Sequence, residues 1–386
     1  TSVEHYGTIF SLAQSFHKAD VFWAGSDDGL VHISMDGGSN WDNVTPKDMP
    51  EWTRIDMIEP SRHDPAKAYM AATRYKMDDP QPFLYVTTDY GETWKKITEG
   101  IPNDDFTRVI REDPTRPGLL YAGTETAVYI SFNDGKDWVS LQLNLPAVPI
   151  SDMVVKDNDL VIATNGRSFW ILDDLTVLRQ FDEEIMDNPT HLFQPADTYR
   201  IPPPVTAGKE TGPGKNYGLG LGIAAAYYET QTSTGETIRT LLDSGTNPPN
   251  GVIITYHIKK RAETEARLTF VDSSGQTIKS FSSKSTENKH YSDKLIQTEP
   301  GMNRFVWDMH YPDPNKVNGT DIAQNSLQGP LAPPGHYKVN LSVGKESQTQ
   351  TFHLLKDPRV IASQNDLKTQ FDLLVRITDK VTETHD

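Results

Sequence analysis

The chain has 386 residues, a formal charge of −16 at pH 7 and no cysteine. The negative charge argues against partners such as nucleic acids and anionic membranes, because like charges repel. The lack of cysteine excludes disulfides, thiolate metal sites and cysteine nucleophiles. The length exceeds what one core usually organises, and 26 Gly with 26 Pro among strand-forming residues favour an all-β protein of two domains.

A repeated motif marks the first half of the chain. Three segments share the pattern Ser/Thr-x-Asp/Asn-x-Gly-x-x-Trp, and we call them box 1 (34–41), box 2 (87–94) and box 3 (131–138). Their motif residues are Ser34, Asp36, Gly38, Trp41, Thr87, Asp89, Gly91, Trp94, Ser131, Asn133, Gly135 and Trp138. The tryptophans recur after 53 and 44 residues, in the range of a four-stranded propeller blade. Asp or Asn accepts backbone N–H groups in the turn and Gly supplies its conformation, so we assign the boxes a structural role.

Aligning the repeats predicts a fourth blade. Its innermost strand begins near Ser151 and two strands follow at 160–163 and 168–172, but no box closes it. Residues 1–198 are therefore predicted to form about four blades. Because the first blade begins almost at the start of the chain, we expect a larger propeller with further blades upstream, on the same or another chain.

The second half differs in composition. Residues 199–222 are rich in Pro, Gly and Lys and are predicted to be a linker. Strand patterns separated by turns within 223–357 predict an immunoglobulin- or fibronectin-like β-sandwich. In 358–386 the apolar residues recur every three or four positions after a Ser363–Asp366 capping box, which predicts an amphipathic helix. This helix covers the sandwich or meets another chain as an oligomer contact.

Three stretches carry a family resemblance: the boxes, the segment Gly166–Asp174 and the segment Gly329–Gly335. Together they resemble exported microbial Asp-box (BNR-type) β-propeller proteins that are called glycosyl hydrolase-like or sortilin N-terminal-domain-like. The resemblance covers almost the whole chain and implies an extracellular, cell-surface or periplasmic protein of which this chain is a C-terminal portion. The lack of cysteine departs from animal sortilins, which have a cysteine-rich module after the propeller.

Candidate ligand-binding residues lie where innermost strands begin, since these positions converge on the central channel of a propeller. On the aligned repeats they are Arg54, Arg108 and Asp152, and Arg167 follows in a later loop. Guanidinium groups bind carboxylates through paired hydrogen bonds, so an acidic sugar or a peptide carboxylate is the predicted ligand. The alternative is that these arginines pair with neighbouring acids such as Asp56, Glu112 and Asp152.

Catalytic residues are much less evident. Asp152 is the one weak candidate for a glycosidase carboxyl group, and such enzymes usually need two carboxyls. Trp52, Tyr75 and Tyr85 are candidates for stacking on sugar rings, with core packing as the alternative. No metal or cofactor is predicted, although oxygen ligands at Asp27-Asp28 or Asp78-Asp79 would suit calcium.

These observations leave three functions open. The first is an exported propeller that binds a glycan or peptide and is not catalytic as this chain alone. The second is a sialidase- or xyloglucanase-like glycoside hydrolase whose active site is completed by upstream blades. The third is a structural component of a cell-surface or extracellular assembly.

Overall fold

The structure is a computed structural model that describes residues 6–201, 213–220, 223–231, 237–242, 245, 247–262, 264–284, 294–315 and 328–385. The chain divides into two compact units, residues 1–179 (unit 1) and residues 180–386 (unit 2). Strands dominate both units, as the composition predicts. Within the described ranges, none of the helices combines the length and apolar character of a membrane span.

The described part of unit 1 contains four antiparallel sheets, and in each the strands pair in chain order. Sheet 1 consists of β1 (Ile9–Gln14), β2 (Phe22–Ser26), β3 (Val31–Ser34) and β4 (Asp42–Asn43). Sheet 2 consists of β5 (Arg54–Pro60), β6 (Ala68–Arg74), β7 (Asp79–Thr87) and β8 (Lys95–Lys96), with a 3₁₀ helix (Tyr75–Met77) between β6 and β7. Sheet 3 consists of β9 (Thr107–Glu112), β10 (Leu120–Thr124), β11 (Val128–Ser131) and β12 (Val139–Ser140). Sheet 4 has β13 (Ile150–Lys156), β14 (Asp159–Thr164) and β15 (Phe169–Leu172).

Apolar cores lie between successive sheets. Trp23 of sheet 1 shares a core with Ile55 of sheet 2, Leu84 of sheet 2 shares one with Ile110 of sheet 3, and a third core joins sheets 3 and 4. The first strands β1, β5, β9 and β13 are neighbours in that order. Consecutive up-and-down sheets packed face to face, with their first strands adjacent, are the arrangement of β-propeller blades. The prediction of an all-β, propeller-like chain is confirmed at this level, while the total blade number stays a prediction.

Each box forms the turn between the third and fourth strands of its sheet. In box 2, Thr87 Oγ1 donates to Asp89 Oδ1 (2.7 Å) and accepts the Gly91 N–H (2.9 Å), while Asp89 Oδ1 also accepts the Thr93 N–H (2.9 Å). Boxes 1 and 3 repeat this network. The glycine of each box has a φ between 77 and 90°, a region that favours glycine. The Ser or Thr hydroxyl and the Asp or Asn side chain of each box are therefore already hydrogen-bonded within the turn.

The tryptophan that ends a box reaches back to the preceding sheet. Trp94 Nε1 donates to the carbonyl oxygen of Val44 (2.7 Å), just after β4, and Trp138 Nε1 donates to that of Ile97 (2.8 Å), just after β8. Trp41 instead donates to a carbonyl of its own turn (3.1 Å). Trp41 is 40% exposed, whereas Trp138 is 3% exposed.

β-Bulges near the starts of the innermost strands alter the alignment of the repeats. The strand pairing skips one residue in each of them, namely Phe10, Asp56, Arg108 and Ser151. These residues are therefore the equivalent ones. The predicted equivalence of Arg54, Arg108 and Asp152 is wrong, because Arg54 lies before the bulge of its strand, Arg108 lies in it and Asp152 lies after it.

The described part of unit 2 contains two sheets that share a core and a separate three-stranded sheet. Helix α1 (Thr176–Gln180) lies at the boundary in the chain between the units. In unit 2 it is followed by helix α2 (Glu183–Asp187) and by the strands β16 (Thr190–Leu192), β17 (Thr198–Arg200), β18 (Gly214–Gly220), β19 (Ile223–Gln231) and β20 (Thr237–Leu241). The later strands are β21 (Val252–Ile258), β22 (Ala266–Val271), β23 (Thr277–Ser282), β24 (Gly301–Trp307), β25 (Gly335–Val343) and β26 (Glu346–Lys356).

The two larger sheets enclose one core. Their strand orders are β16-β21-β24 and β17-β26-β25-β22-β23, and only the β17–β26 pair is parallel among the described strands. Tyr256 and Trp307 from the first sheet pack with Phe270 and Phe352 from the second, and the Phe270 and Trp307 rings stack with centroids 4.6 Å apart. Two sheets over one core agree with a sandwich, and its immunoglobulin- or fibronectin-like class stays a prediction.

The boundary between the units differs from the predicted one at residue 198. β16 lies before residue 198 and pairs with β21 of the sandwich. β17 begins at residue 198 and pairs with β26 of the sandwich. Part of the predicted linker, 199–222, is also strand, since β18 pairs with β19. Residues 202–212 and 221–222 of that linker lie outside the described residues. Backbone pairing with distant strands explains the difference, because it leaves little trace in local composition.

The C-terminal helix α3 spans Gln364–His385. The predicted capping box is present: Asp366 N–H donates to Ser363 Oγ (3.2 Å) and Ser363 N–H donates to Asp366 Oδ2 (2.9 Å). Leu367 is buried and Phe371 packs on Tyr311, with ring centroids 4.7 Å apart. Part of the apolar stripe is therefore covered within unit 2, while Ile377 and its neighbours are exposed.

Candidate functional site

A cleft of about 260 Å³ opens where β5 begins and β6 ends, in unit 1. It is lined by Tyr6, Asp27, Trp52, Arg54, Thr73, Arg74, Tyr75, Lys76 and Met77. Three cations, one acid and three aromatic rings give the lining a positive and partly apolar character. Arg54, Trp52 and Tyr75 are residues that sequence reasoning singled out, and the structure brings them together here.

The aromatic residues of the cleft present their rings to solvent. Tyr6, Trp52 and Tyr75 are all exposed, and the rings of Tyr6 and Trp52 meet edge to face with centroids 5.1 Å apart. Trp52 has a φ of 63°, a backbone conformation that is costly for a bulky residue. The prediction that Tyr85 stacks on a sugar ring is wrong, because Tyr85 is buried in the core between sheets 1 and 2.

Arg54 is held in one orientation on the cleft wall. Its guanidinium lies over the ring of Phe10 (4.7 Å to the centroid) and over that of Tyr75 (5.3 Å). Its Nε donates to Asp56 Oδ1 (2.7 Å), and its Nη2 contacts the same oxygen (2.5 Å). The predicted alternative is therefore confirmed for Arg54, while Arg108 pairs with Glu125 instead of one of the acids named from the sequence. Because both contacts use one oxygen, the guanidinium keeps further N–H donors for a second anion.

Two polar atoms near Arg54 are buried without a hydrogen-bond partner among the described residues. One is the hydroxyl of Thr73. Thr73 lines the cleft and lies opposite Arg54 in the backbone pairing of β5 with β6. The other is Asp56 Oδ2. Burial raises the pKa of Asp56 to about 6, against the lowering effect of Arg54 and Arg108. Buried polar groups are normally paired, so both atoms need an explanation.

Arg108 belongs to the same neighbourhood but does not line the cleft. Its Nε donates to Glu125 (2.7 Å), and its guanidinium lies 5.0 Å from the Phe106 ring centroid. Phe106 in turn stacks on Tyr75, with centroids 5.2 Å apart. Aromatic rings and guanidinium groups thus form one continuous row from Phe10 to Arg108, and this row stiffens the wall that holds Arg54.

Asp152 lies in a different cluster. Its Oδ1 contacts Arg111 Nη2 (2.8 Å), while Arg111 Nη1 contacts Glu59 Oε2 (2.7 Å) and Arg111 Nε donates to the Met153 carbonyl (2.6 Å). Arg111 therefore joins β5, β9 and β13. Sequence reasoning missed both Arg111 and Glu59, and burial raises the pKa of Glu59 despite its ion pair.

The remaining predicted residues do not join either group. Arg167 is exposed, and its Nη1 donates to the carbonyl of the adjacent Gly166 (3.1 Å). Of the two proposed calcium positions, Asp27 Oδ1 accepts backbone N–H groups and Asp79 pairs with Arg74 (2.8 Å). Within the described ranges there is no cluster of three or more His, Asp or Glu side chains arranged to hold a metal ion.

Comparisons with known proteins add little. No protein family matches the chain, and no curated protein does. Among solved structures, YCF48 from Cyanidioschyzon merolae is 13% identical, covers 64% of this chain and 79% of its own, and has a TM-score of 0.33. A YCF48 structure described as bound to D1 peptide is 16% identical, with coverages of 64% and 75% and a TM-score of 0.33. The computationally designed protein Ika4 is 11% identical, with coverages of 44% and 94% and a TM-score of 0.31.

Proposed function

We propose that this chain belongs to an exported binding protein whose cleft takes a carboxylate-bearing ring, such as an acidic sugar of a glycan. The observation that supports this proposal is the cleft itself, in which exposed aromatic rings surround Arg54 and the unpartnered Thr73 hydroxyl. Binding without catalysis is the function that needs only these groups.

Each part of the cleft has a role in this proposal. Trp52 offers flat apolar surface against which a ring packs, while Tyr75, whose ring already contacts Arg54 and Phe106, supports the wall of the cleft. Arg54 supplies charged N–H donors for a carboxylate, and its fixed orientation lowers the entropy lost on binding. The Thr73 hydroxyl pairs with a ligand hydroxyl or carboxylate oxygen, which relieves the cost of its burial.

Binding to parallel arrays of glycans and peptides tests the proposal. We expect retention of glycans with terminal uronic or sialic acids. Arg54→Met and Trp52→Ala should weaken binding about 10-fold or more, and Thr73→Val several-fold. Arg167→Met removes an exposed arginine outside the cleft and should leave binding unchanged. Signals for peptide C-termini alone would move the ligand class to peptides, and absence of any ligand would overturn the proposal.

Export is part of this proposal and rests on the family resemblance alone. Unit 2 is proposed to act as a spacer or docking module. Fractionation of the source cells with an antibody against the chain tests export, and recovery of the natural protein in the cytosol would contradict it.

A second candidate function is glycoside hydrolysis. It is favoured by the two carboxyl groups of Glu59 and Asp152 on the single guanidinium of Arg111, of which Glu59 has a raised pKa. We place it second because Glu59 is buried and ion-paired. Hydrolysis of sialosides or polysaccharides that Asp152→Asn and Glu59→Gln both abolish would put this function first.

The partner of sheet 1 is a further proposal. Its outward face exposes Ile9 (60%) and Leu12 (64%), and Trp41 lacks the cross-sheet bond that Trp94 and Trp138 make. We infer that a preceding sheet of the same repeat covers this face, in the way that sheet 1 covers sheet 2 and sheet 2 covers sheet 3. Adding the natural upstream sequence should protect the Trp41 indole N–H from exchange.

The rival is a structural role in an assembly through the same exposed face. Light scattering of the 386-residue chain separates the two. A monomer agrees with the inference that a preceding sheet of the same repeat covers this face. A stable oligomer that Leu12→Glu dissociates would favour the structural role.

A further inference from the structure

Asp56 is a buried counter-ion behind the cleft wall. It occupies the bulge of β5, and its side chain is 9% exposed. One carboxylate oxygen meets Arg54, and the other has no hydrogen-bond partner among the described residues. A buried carboxylate that is only half satisfied is costly when ionised. The neutral acid is less costly there, so the site is poised between two charge states.

The charge state of Asp56 changes what Arg54 offers to a ligand. When Asp56 is ionised, the pair is neutral and a ligand carboxylate must compete for the guanidinium. When Asp56 is protonated, the full positive charge of Arg54 is available at the cleft. The sandwich between Phe10 and Tyr75 keeps the guanidinium in place in both states.

We propose that Asp56 determines the specificity of the cleft for anions and makes their binding tighter in mildly acidic solution. This inference rests on the proposed function of the cleft. The change falls near pH 6 because burial raises the pKa of Asp56 to about that value. By linkage, a bound carboxylate favours protonated Asp56 and raises its pKa further.

Other charged groups around the pair do not provide this switch. Arg108 faces Asp56 from β9 and is itself paired with Glu125. The cleft also contains Asp27, Arg74 and Lys76, and none of its described lining residues is a histidine. A pH dependence near 6 is therefore attributed to Asp56 and not to an imidazole.

Arg74 and Asp79 provide a matched control. They form a second ion pair at the same cleft, with Nη1 and Oδ2 2.8 Å apart. Asp56→Asn and Asp79→Asn each remove one negative charge and leave an arginine with more free charge. Only Asp56→Asn removes the proposed switch, so the two variants separate a pH effect from a simple change in net charge.

The experiment measures binding of glucuronate, which stays ionised between about pH 5 and about pH 8, by NMR titration of the full chain. We expect wild-type affinity to rise about 3- to 10-fold from the higher to the lower pH. Asp56→Asn should bind with the higher affinity at both pH values, and Asp79→Asn should keep the slope. Circular dichroism of each variant confirms folding.

Different outcomes identify different failures. No glucuronate binding by the wild type at either pH would count against the proposed function and the switch together. Binding without a pH slope, or a slope that survives in Asp56→Asn, would overturn the switch and leave the binding function standing.

Discussion

Arg111 shows how one side chain holds several sheets of unit 1. Its guanidinium contacts Glu59 on β5 and Asp152 on β13, and it lies on β9 between them. Glu59 is buried, so its charge depends on this partner. The sequence predicts Asp152 as a ligand-binding or catalytic residue, but its contacts equally support a structural ion-pair cluster.

Removing Arg111 should therefore be costly. Arg111→Met leaves the Glu59 carboxylate buried without its partner, and we expect unit 1 to lose about 3–5 kcal/mol of unfolding free energy. Urea unfolding measures the loss. Arg167→Met, at an exposed arginine, should change stability by less than about 0.5 kcal/mol. Equal effects of the two substitutions would contradict the structural role of Arg111.

Asp56 also predicts how stability depends on pH. Its pKa is about 6 in the folded protein and 3.8 as the ordinary value. Between these values the folded state binds more protons than the unfolded state, so its contribution to stability falls as pH rises through this window. We expect the stability of wild type relative to Asp56→Asn to drop by on the order of 2 kcal/mol from about pH 4 to about pH 7. Parallel stability curves would show that the carboxyl is not buried as described.

At the scale of elements, the boxes join the sheets of unit 1. The turn network is local, but the box tryptophans of sheets 2 and 3 donate to carbonyl groups of the preceding sheet. The contribution of a box tryptophan to the stability of unit 1 therefore differs between sheet 1 and the two sheets that follow it. It depends on whether the preceding sheet is there to accept the bond.

Trp138→Phe and Trp41→Phe compare these two situations. Trp138 is buried, so Phe removes the indole bond to Ile97 and leaves a small cavity, at a cost of about 2–4 kcal/mol. Trp41 is partly exposed and bonds within its own turn, so we expect less than about 1 kcal/mol. Thermal unfolding of both variants gives the comparison. A larger loss for Trp41→Phe would mean that sheet 1 already has a partner.

At the scale of the whole molecule, each unit has its own cores. Those of unit 1 lie between sheets, while unit 2 has a core rich in aromatic residues around Phe270. Units with separate cores are expected to unfold independently or nearly so.

Phe270→Ala tests this independence. Phe270 is fully buried, and its loss should destabilise unit 2 by about 3–5 kcal/mol. Scanning calorimetry should show two transitions, of which Phe270→Ala lowers one and Trp138→Phe lowers the other. A single transition that both substitutions shift equally would show that the units unfold as one.

Some of the candidate site was predictable from the sequence and some was not. The sequence predicts Arg54 from its place at the start of an innermost strand, and it predicts Trp52 and Tyr75 only as aromatic residues able to stack on sugar rings. Asp56 was noticed only as a neighbouring acid, since neither its burial nor its unpaired oxygen can be read from composition. Thr73 gave no signal at all, because an ordinary strand threonine becomes informative only when its hydroxyl lacks a partner.

The strands of unit 1, its box turns and the order of its sheets can be predicted from local patterns in the chain, because hairpins and alternating patterns depend on residues close together. The strands β16, β17 and β18 of unit 2 could not be predicted in this way. Which acid each arginine contacts, and where the units divide, depends on residues that are far apart in the chain. The reason is physical: a bulge of one residue re-aims the side chains that follow it, and β16 and β17 find their partners far along the chain.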